Sequence, residues 1–166
     1  ARAAAREHDF PPVERSVGGR AVAYTETTLA FARITPVDGV RSGLQERYDA
    51  MVADVLDALA AVGVDAREGE PPESFCPGEH SVAAGGKLAG IAQRVTKDAA
   101  LTSGVLVVDD REEIADVLAA VYPKLGVPFD PGSVGSVAAA GGDAARVRDE
   151  LEDALVGDAD ADVERL

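Results

Sequence analysis

Two side chains in the stretch SFCPGEHSVAAGGKLAGIAQRV, residues 74–95, carry most of the chemistry this sequence can offer. They are the thiol of Cys76 and the ammonium of Lys87, eleven positions apart. Cys76 is the only cysteine and Lys87 one of three lysines among 166 residues. The thiolate is the nucleophilic form of cysteine, and a nearby cation favours it. Lys87 and His80 are the candidates for that cation. A lone activated thiol with no partner cysteine is suited to acyl transfer, taking an acyl group as a thioester and yielding it to an amine. The same residues also have an inert reading. An isolated cysteine packs as a small apolar group, a lysine beside a turn is solvated, and His80 is a surface strand residue. Spacing alone leaves both readings open.

The elements that must position these groups are legible to different degrees. Gly85-Gly86 reads as the two-residue turn of a β-hairpin with positive φ at both positions. Lys87 then opens a strand on which Ala89, Ile91 and Gln93 share its face. Gly90, inside that strand, costs stability unless something approaches the backbone closely. A ligand is one such thing. Cys76 lies in the preceding loop GEPPESFCPGE, whose prolines exclude a helix. Upstream, VERSV and RAVAYT read as short strands around Gly18-Gly19, and TLAFARIT as the next strand of a meander. Between Arg41 and Val62 the apolar residues Leu44, Tyr48, Met51, Val52, Val55, Leu56, Leu59 and Val62 recur at steps of three and four, predicting an amphipathic helix that Gly63 ends.

Downstream, VDARE is a short strand, AALTSGVLVVD a longer one after a turn at Lys97-Asp98, and REEIADVLAAVYPKLG a helix with Asp109 or Asp110 as its N-cap. A final helix is expected from about Asp143 to Val156. Hairpins without strict βαβ alternation predict an α+β domain, a mostly antiparallel sheet with helices packed on one side. One domain is expected over 1–157, with an acidic tail at 158–166. ARAAAREHDF opens as the last turns of a helix, with no N-cap and no initiator Met, so the chain is expected to lack an N-terminal part.

The net charge of −14 repels phosphates and anionic lipid surfaces, which argues against nucleic-acid and membrane partners. The basic residues are thirteen Arg and three Lys, a balance that suits a protein kept soluble in concentrated salt. At molar salt the Debye length falls to about 3 Å and acidic self-repulsion is screened. The expected setting is therefore a halophilic cytoplasm. No apolar run reaches the roughly 18 residues of a membrane span. Two histidines and one cysteine offer no zinc cluster, so no metal site is expected.

ERSVGGRAVAYTETTLAFARI followed by SFCPGEHSVAAGGKLAGIAQRV resembles the biotin/lipoate protein ligase superfamily, closest to its lipoate-protein ligase and octanoyltransferase/amidotransferase branch, over roughly residues 1–128. Arg15, Gly18, Gly19, Arg20, Ala21 and Val22 match an R-x-S/T-G-G-x-A-V loop and strand. Lys87 to Gly90 match a K-x-x-G strand, with Gln93-Arg94 after it. The resemblance implies a fold like that of class II aminoacyl-tRNA synthetases and biotin synthetases. It also implies an acyl pocket lined by Arg15, Gly18, Gly19, Arg20, Ala21, Gly90 and Gln93, with Lys87 on the reacting carbonyl and Cys76 as the thioester-forming residue of the transferase branch.

Octanoyl or lipoyl would be the substrate, delivered to a lysine of a lipoyl carrier domain of the glycine cleavage H protein or E2 type. Acyl carrier protein is a further partner, and no cofactor is covalently bound. The alternatives are an ATP-dependent ligase working through an acyl-adenylate with Mg, and a non-catalytic fragment that binds cofactor or carrier. Val17 stands where Ser or Thr is usual, and Ala23-Tyr24-Thr25 lacks a histidine common there. These departures weigh against adenylate binding more than against acyl transfer.

Overall fold

A computed structural model describes residues 1–14, 19–39, 42–158, 162 and 164. Among these, five strands form one antiparallel sheet: β1 (Leu29–Pro36), β2 (Arg67–Glu68), β3 (Ser81–Ala83), β4 (Lys87–Val95) and β5 (Ala99–Leu106), in the order β1-β5-β4-β3-β2. The helices are α1 (Arg2–Glu7), α2 (Leu44–Ala61), α3 (Arg111–Val121) and α4 (Val147–Val156), with 3-10 turns at Tyr122–Leu125 and Pro131–Ser133. The expected α+β class with an antiparallel sheet is what the chain adopts.

The helix read from the periodicity of residues 41–62 is α2. Its buried stripe of Met51, Val52, Val55, Ala58 and Leu59 lies against β3, β4 and β5, and α4 packs on it in turn. Gly63, at φ 86°, follows its C-cap. In β1 the alternation places Leu29, Phe31 and Arg33 inward and leaves Ile34 71% exposed. Arg33 ties this edge strand down, its Nη2 lying 2.7 Å from Asp54 Oδ2 on α2 and 2.6 Å from the Leu155 carbonyl on α4. Phe31 lies opposite Gly104, and its ring occupies the space a side chain at 104 would need.

A second apolar cluster joins α1 and α3 to Ala23, Phe75, Val107, Tyr122 and Val134. Here the chain departs from its sequence reading. Residues 20–25 form no strand. Ala21, Val22 and Ala23 all touch this cluster in succession, which an alternating strand cannot do. The backbone there is held partly by side chains instead of a ladder. The Gly18 half of the expected turn, with Arg15 and Val17, lies outside the described residues.

The β3–β4 hairpin is present, but its loop is Ala84-Gly85-Gly86. Ala83 pairs with Lys87, and the Ala84 N–H donates to the Gly86 carbonyl at 3.0 Å. Only Gly85 has positive φ, at 66°. Gly86 is required for a different reason. A Cβ there would lie 2.7 Å from the Gly135 nitrogen, because the segment after Pro131–Ser133 runs beside the start of β4 and forms a parallel bridge between Val134 and Lys87. Helix α3 stops at Val121 and tightens into a 3-10 turn at Pro123, which has no N–H to continue the ladder. Asp110 holds the N-cap position of this helix as expected, but neither acid caps it through its side chain: Asp109 Oδ1 accepts the Asp110 N–H, and Asp110 Oδ2 accepts from Thr27 Oγ1. Helix α4 begins at Val147 instead of Asp143, since Asp143 is committed to a turn, its Oδ1 accepting the Ala145 N–H and its N–H donating to the Val62 carbonyl.

A Cβ at Gly104 would lie 2.3 Å from Phe31 Cζ. Gly104→Ala is therefore expected to lower stability by about 1–3 kcal/mol through overpacking, read as a lower midpoint in chemical denaturation. Phe31→Leu in that background should recover part of the loss.

Candidate active site

Loop 69–80 starts and ends beside the β2–β3 pair, where the Gly69 N–H donates to the Ser81 carbonyl at 2.8 Å. At its crest Cys76 holds a left-handed backbone, φ 40°. A non-glycine residue rarely keeps that conformation unless its surroundings impose it, and here they do. The Cys76 N–H donates to Tyr122 Oη at 2.6 Å, and its carbonyl accepts from Lys87 Nζ at 3.0 Å. The Cys76 Sγ accepts from the backbone N–H of Arg20 at 3.3 Å. Tyr122 Oη donates onward to the Ala21 carbonyl at 3.0 Å, so one buried phenol joins the cysteine loop to the 19–21 segment. Cys76 is half-buried, and an N–H aimed at sulfur is placed to carry negative charge developing there.

Lys87 is 1% exposed. Its ammonium meets Glu70 Oε2 at 3.0 Å, Glu70 Oε1 at 3.3 Å, the Phe75 carbonyl at 3.1 Å and the Cys76 carbonyl at 3.0 Å, and lies 5.2 Å from the centre of the Phe75 ring. A buried charge is tolerable only with such satisfaction. Gly90 gives the side chain its room, since a Cβ there would stand 3.3 Å from Lys87 Cε and 3.6 Å from Nζ. That is the physical content of the K-x-x-G spacing: the close approach inferred at Gly90 is the lysine's own stem.

The structure thus brings together Cys76, Lys87, Arg20, Ala21 and Gly90. Gly19, at φ 101°, is exposed beside Arg20. Arg15 and Gly18 lie outside the described residues. Gln93 is placed apart: Oε1 accepts from Arg47 Nε at 2.7 Å, and Nε2 donates to the Leu44 carbonyl at 3.2 Å, both on α2. His80 stacks on Tyr48 with ring centres 3.9 Å apart, and its Nδ1 lies 3.1 Å from Glu68 Oε1, which commits the imidazole to α2 and β2. Arg94 is exposed.

One cleft of about 460 Å³ opens between Arg67, Glu70 and Gly86, and another of about 580 Å³ at the start of α3. The larger lies away from the thiol, and the smaller reaches the site only at Glu70. Among the described residues no three His, Cys, Asp or Glu side chains are grouped to hold a metal ion.

Sequence reasoning missed Glu70 and Tyr122. Tyr122 carried one signal, because a tyrosine buried at a helix end needs a partner for its hydroxyl. Nothing in the spacing of GEPPES marks Glu70.

The model for the lipoyl protein ligase A/B catalytic domain matches residues 1–148. The chain belongs to that family. Among curated relatives, the octanoyl-GcvH:protein N-octanoyltransferase of Oceanobacillus iheyensis is 31% identical over 120 residues, 71% of this chain and 43% of that protein. The enzyme of the same name from Geobacillus kaustophilus is 34% identical over 90 residues, 54% of this chain and 32% of its own length. The chain therefore spans less than half the length of the curated relatives it matches. Among solved structures, a lipoate-protein ligase A bound with ATP superposes with a TM-score of 0.71 at 21% identity, covering 92% of this chain and 60% of that one. A Thermoplasma acidophilum protein solved with lipoic acid bound gives 0.70 at 20% identity, with the same coverage. These structures establish the shared fold.

Tyr122→Phe removes the acceptor of the Cys76 N–H and the donor to Ala21. The expected cost is about 1–3 kcal/mol in denaturant unfolding, the range for leaving buried partners unsatisfied. Gly90→Val, which crowds the lysine stem, is expected to lower stability by about 1–3 kcal/mol through overpacking, read as a lower melting temperature.

Proposed function

We propose that the protein moves an octanoyl or lipoyl group onto a lysine of a lipoyl carrier domain through a thioester on Cys76. The observation that carries this reading is the restrained cysteine, with a left-handed backbone, both main-chain polar groups engaged, and sulfur facing the Arg20 N–H. The names of the curated relatives support the acyl group and make a GcvH-type carrier the natural donor.

In the first step the Cys76 thiolate attacks the acyl carbonyl carbon. A C–S bond forms, the carbonyl oxygen takes up the electron pair, and collapse expels the donor's heteroatom, which gains a proton. In the second step the acceptor lysine's neutral amine attacks the thioester. A C–N bond forms, the C–S bond breaks, the amine loses a proton, and Cys76 is regenerated.

Lys87 is assigned to the reacting carbonyl, where an ammonium offsets the developing negative charge. Its three N–H donors are shared among four acceptors within 3.3 Å, so taking up a substrate oxygen means exchanging one of them, with the 3.3 Å contact to Glu70 Oε1 the weakest. The segment carrying Arg15, Gly18, Gly19, Arg20 and Ala21 is assigned to the acyl chain. Gln93 is better read as a tie between β4 and α2. The catalytic domain is assigned to 1–157, the setting to the cytoplasm of a high-salt organism on the strength of the −14 charge, and the partners to H-protein or E2-type domains, with acyl carrier protein a second donor class.

Incubation with an octanoylated carrier in high salt is expected to add one octanoyl mass to the intact protein, hydroxylamine-labile and absent in Cys76→Ser. Carrier modification that requires ATP and free lipoate, with no adduct, would establish the ligase reading instead. Neither product would leave a binding fragment.

A further inference from the structure

We infer that Glu70 is a positioning residue for the Cys76 nucleophile. Its carboxylate is the knot of the cysteine loop. It accepts Ser74 Oγ from one side of the crest, the Gly78 N–H at 3.2 Å from the other, Ser81 Oγ from the first residue of β3, and Lys87 Nζ from the first residue of β4. Three of these donors also touch the main chain around Cys76. Ser74 Oγ also lies 3.3 Å from the Phe75 carbonyl and Ser81 Oγ 3.2 Å from the Gly78 carbonyl, and Lys87 holds the carbonyls of Phe75 and Cys76. Ser74, Ser81 and Lys87 are buried, whereas the Glu70 side chain keeps 24% of its surface.

The chemistry of the cluster specifies a carboxylate. Four groups donate to it, and an ionised carboxylate is an acceptor at both oxygens. An amide of the same shape would turn an N–H₂ toward at least one of these donors, so Glu70→Gln both removes the counter-charge of a buried ammonium and opposes donor with donor. With the knot undone, Lys87 no longer has a fixed direction, and Cys76 loses the restraint on its carbonyl. The sulfur then leaves the Arg20 N–H. Glu70 thus acts on the thiol through Lys87 and the two serines, without touching the acyl group.

This inference rests on the proposed acyl transfer for its kinetic arm and on the thiol's own reactivity for the other. Glu70→Gln, Glu70→Asp, Lys87→Met and the Glu70→Gln/Lys87→Met pair are prepared, and Cys76 alkylation by iodoacetamide is timed by intact mass well below each melting temperature. Glu70→Gln is expected to slow alkylation about tenfold or more. It should also lower kcat for octanoyl transfer by about 10- to 100-fold, the scale of a small misplacement, with KM within about threefold of wild type. Glu70→Asp, which keeps the charge but withdraws the carboxylate, should fall between wild type and Gln. It also serves as the test if Gln does not fold. In the Lys87→Met background the Gln substitution should slow alkylation by a smaller factor than in wild type, the remainder passing through Ser74 and Ser81.

Alkylation in Glu70→Gln as fast as in wild type, or kcat unchanged while only the melting temperature falls, would overturn the inference and leave Glu70 as a structural acid. If wild type forms no octanoyl adduct while alkylation still slows in Glu70→Gln, acyl transfer fails and the positioning role stands.

Discussion

A buried ammonium is the constraint on which the rest of the site depends. Taking a lysine out of water costs several kcal/mol unless charge and hydrogen bonds replace the lost solvation. At Lys87 the chain supplies that replacement from a single loop, in the form of a carboxylate at its start and two carbonyls at its crest. The loop is therefore folded around the lysine. The backbone strain at Cys76 is the local consequence, since turning the Phe75 and Cys76 carbonyls toward one nitrogen sets the cysteine in a conformation that a free loop would not keep.

Two structural devices make that arrangement possible from the other side. The close crossing of Gly86 over Gly135 brings the 131–137 segment against the start of β4, where the Gly135 N–H donates to the Lys87 carbonyl at 3.0 Å, so the lysine's backbone is held on both sides. The 3-10 turn forced by Pro123 delivers Tyr122 to the cysteine loop, where its hydroxyl bridges Cys76 and Ala21. The nucleophile is thus fixed by elements far apart in sequence.

What the sequence revealed follows from which interactions are local. Helix α2 was legible because one apolar stripe determines both its period and its packing. The β3–β4 hairpin was legible because glycines mark turns. Cys76 and Lys87 were legible because their chemistry is rare in this chain, and the resemblance gave Gly90 its place. Residues 20–25 were misread because β-propensity counts only with a ladder partner, and the described sheet offers them none. The true reason for Gly86 is a backbone crossing almost fifty residues away in sequence, which no turn rule encodes. Gln93 was assigned by its place in a motif, whereas its amide is committed to Arg47 and Leu44 of α2. Glu70 stayed hidden because an acid in a proline-rich loop looks like solvated surface until four donors are seen to converge on it.

Whether the buried ammonium sets the cysteine loop is tested most directly by a crystal structure of Lys87→Met, a substitution of similar volume that removes only the charge and its donors. With the ammonium gone, Cys76 is expected to leave the left-handed region and its sulfur to withdraw from the Arg20 N–H. A Cys76 that keeps its positive φ and its 3.3 Å contact to Arg20 in that variant would contradict that expectation, and would show that the loop holds the nucleophile without the lysine.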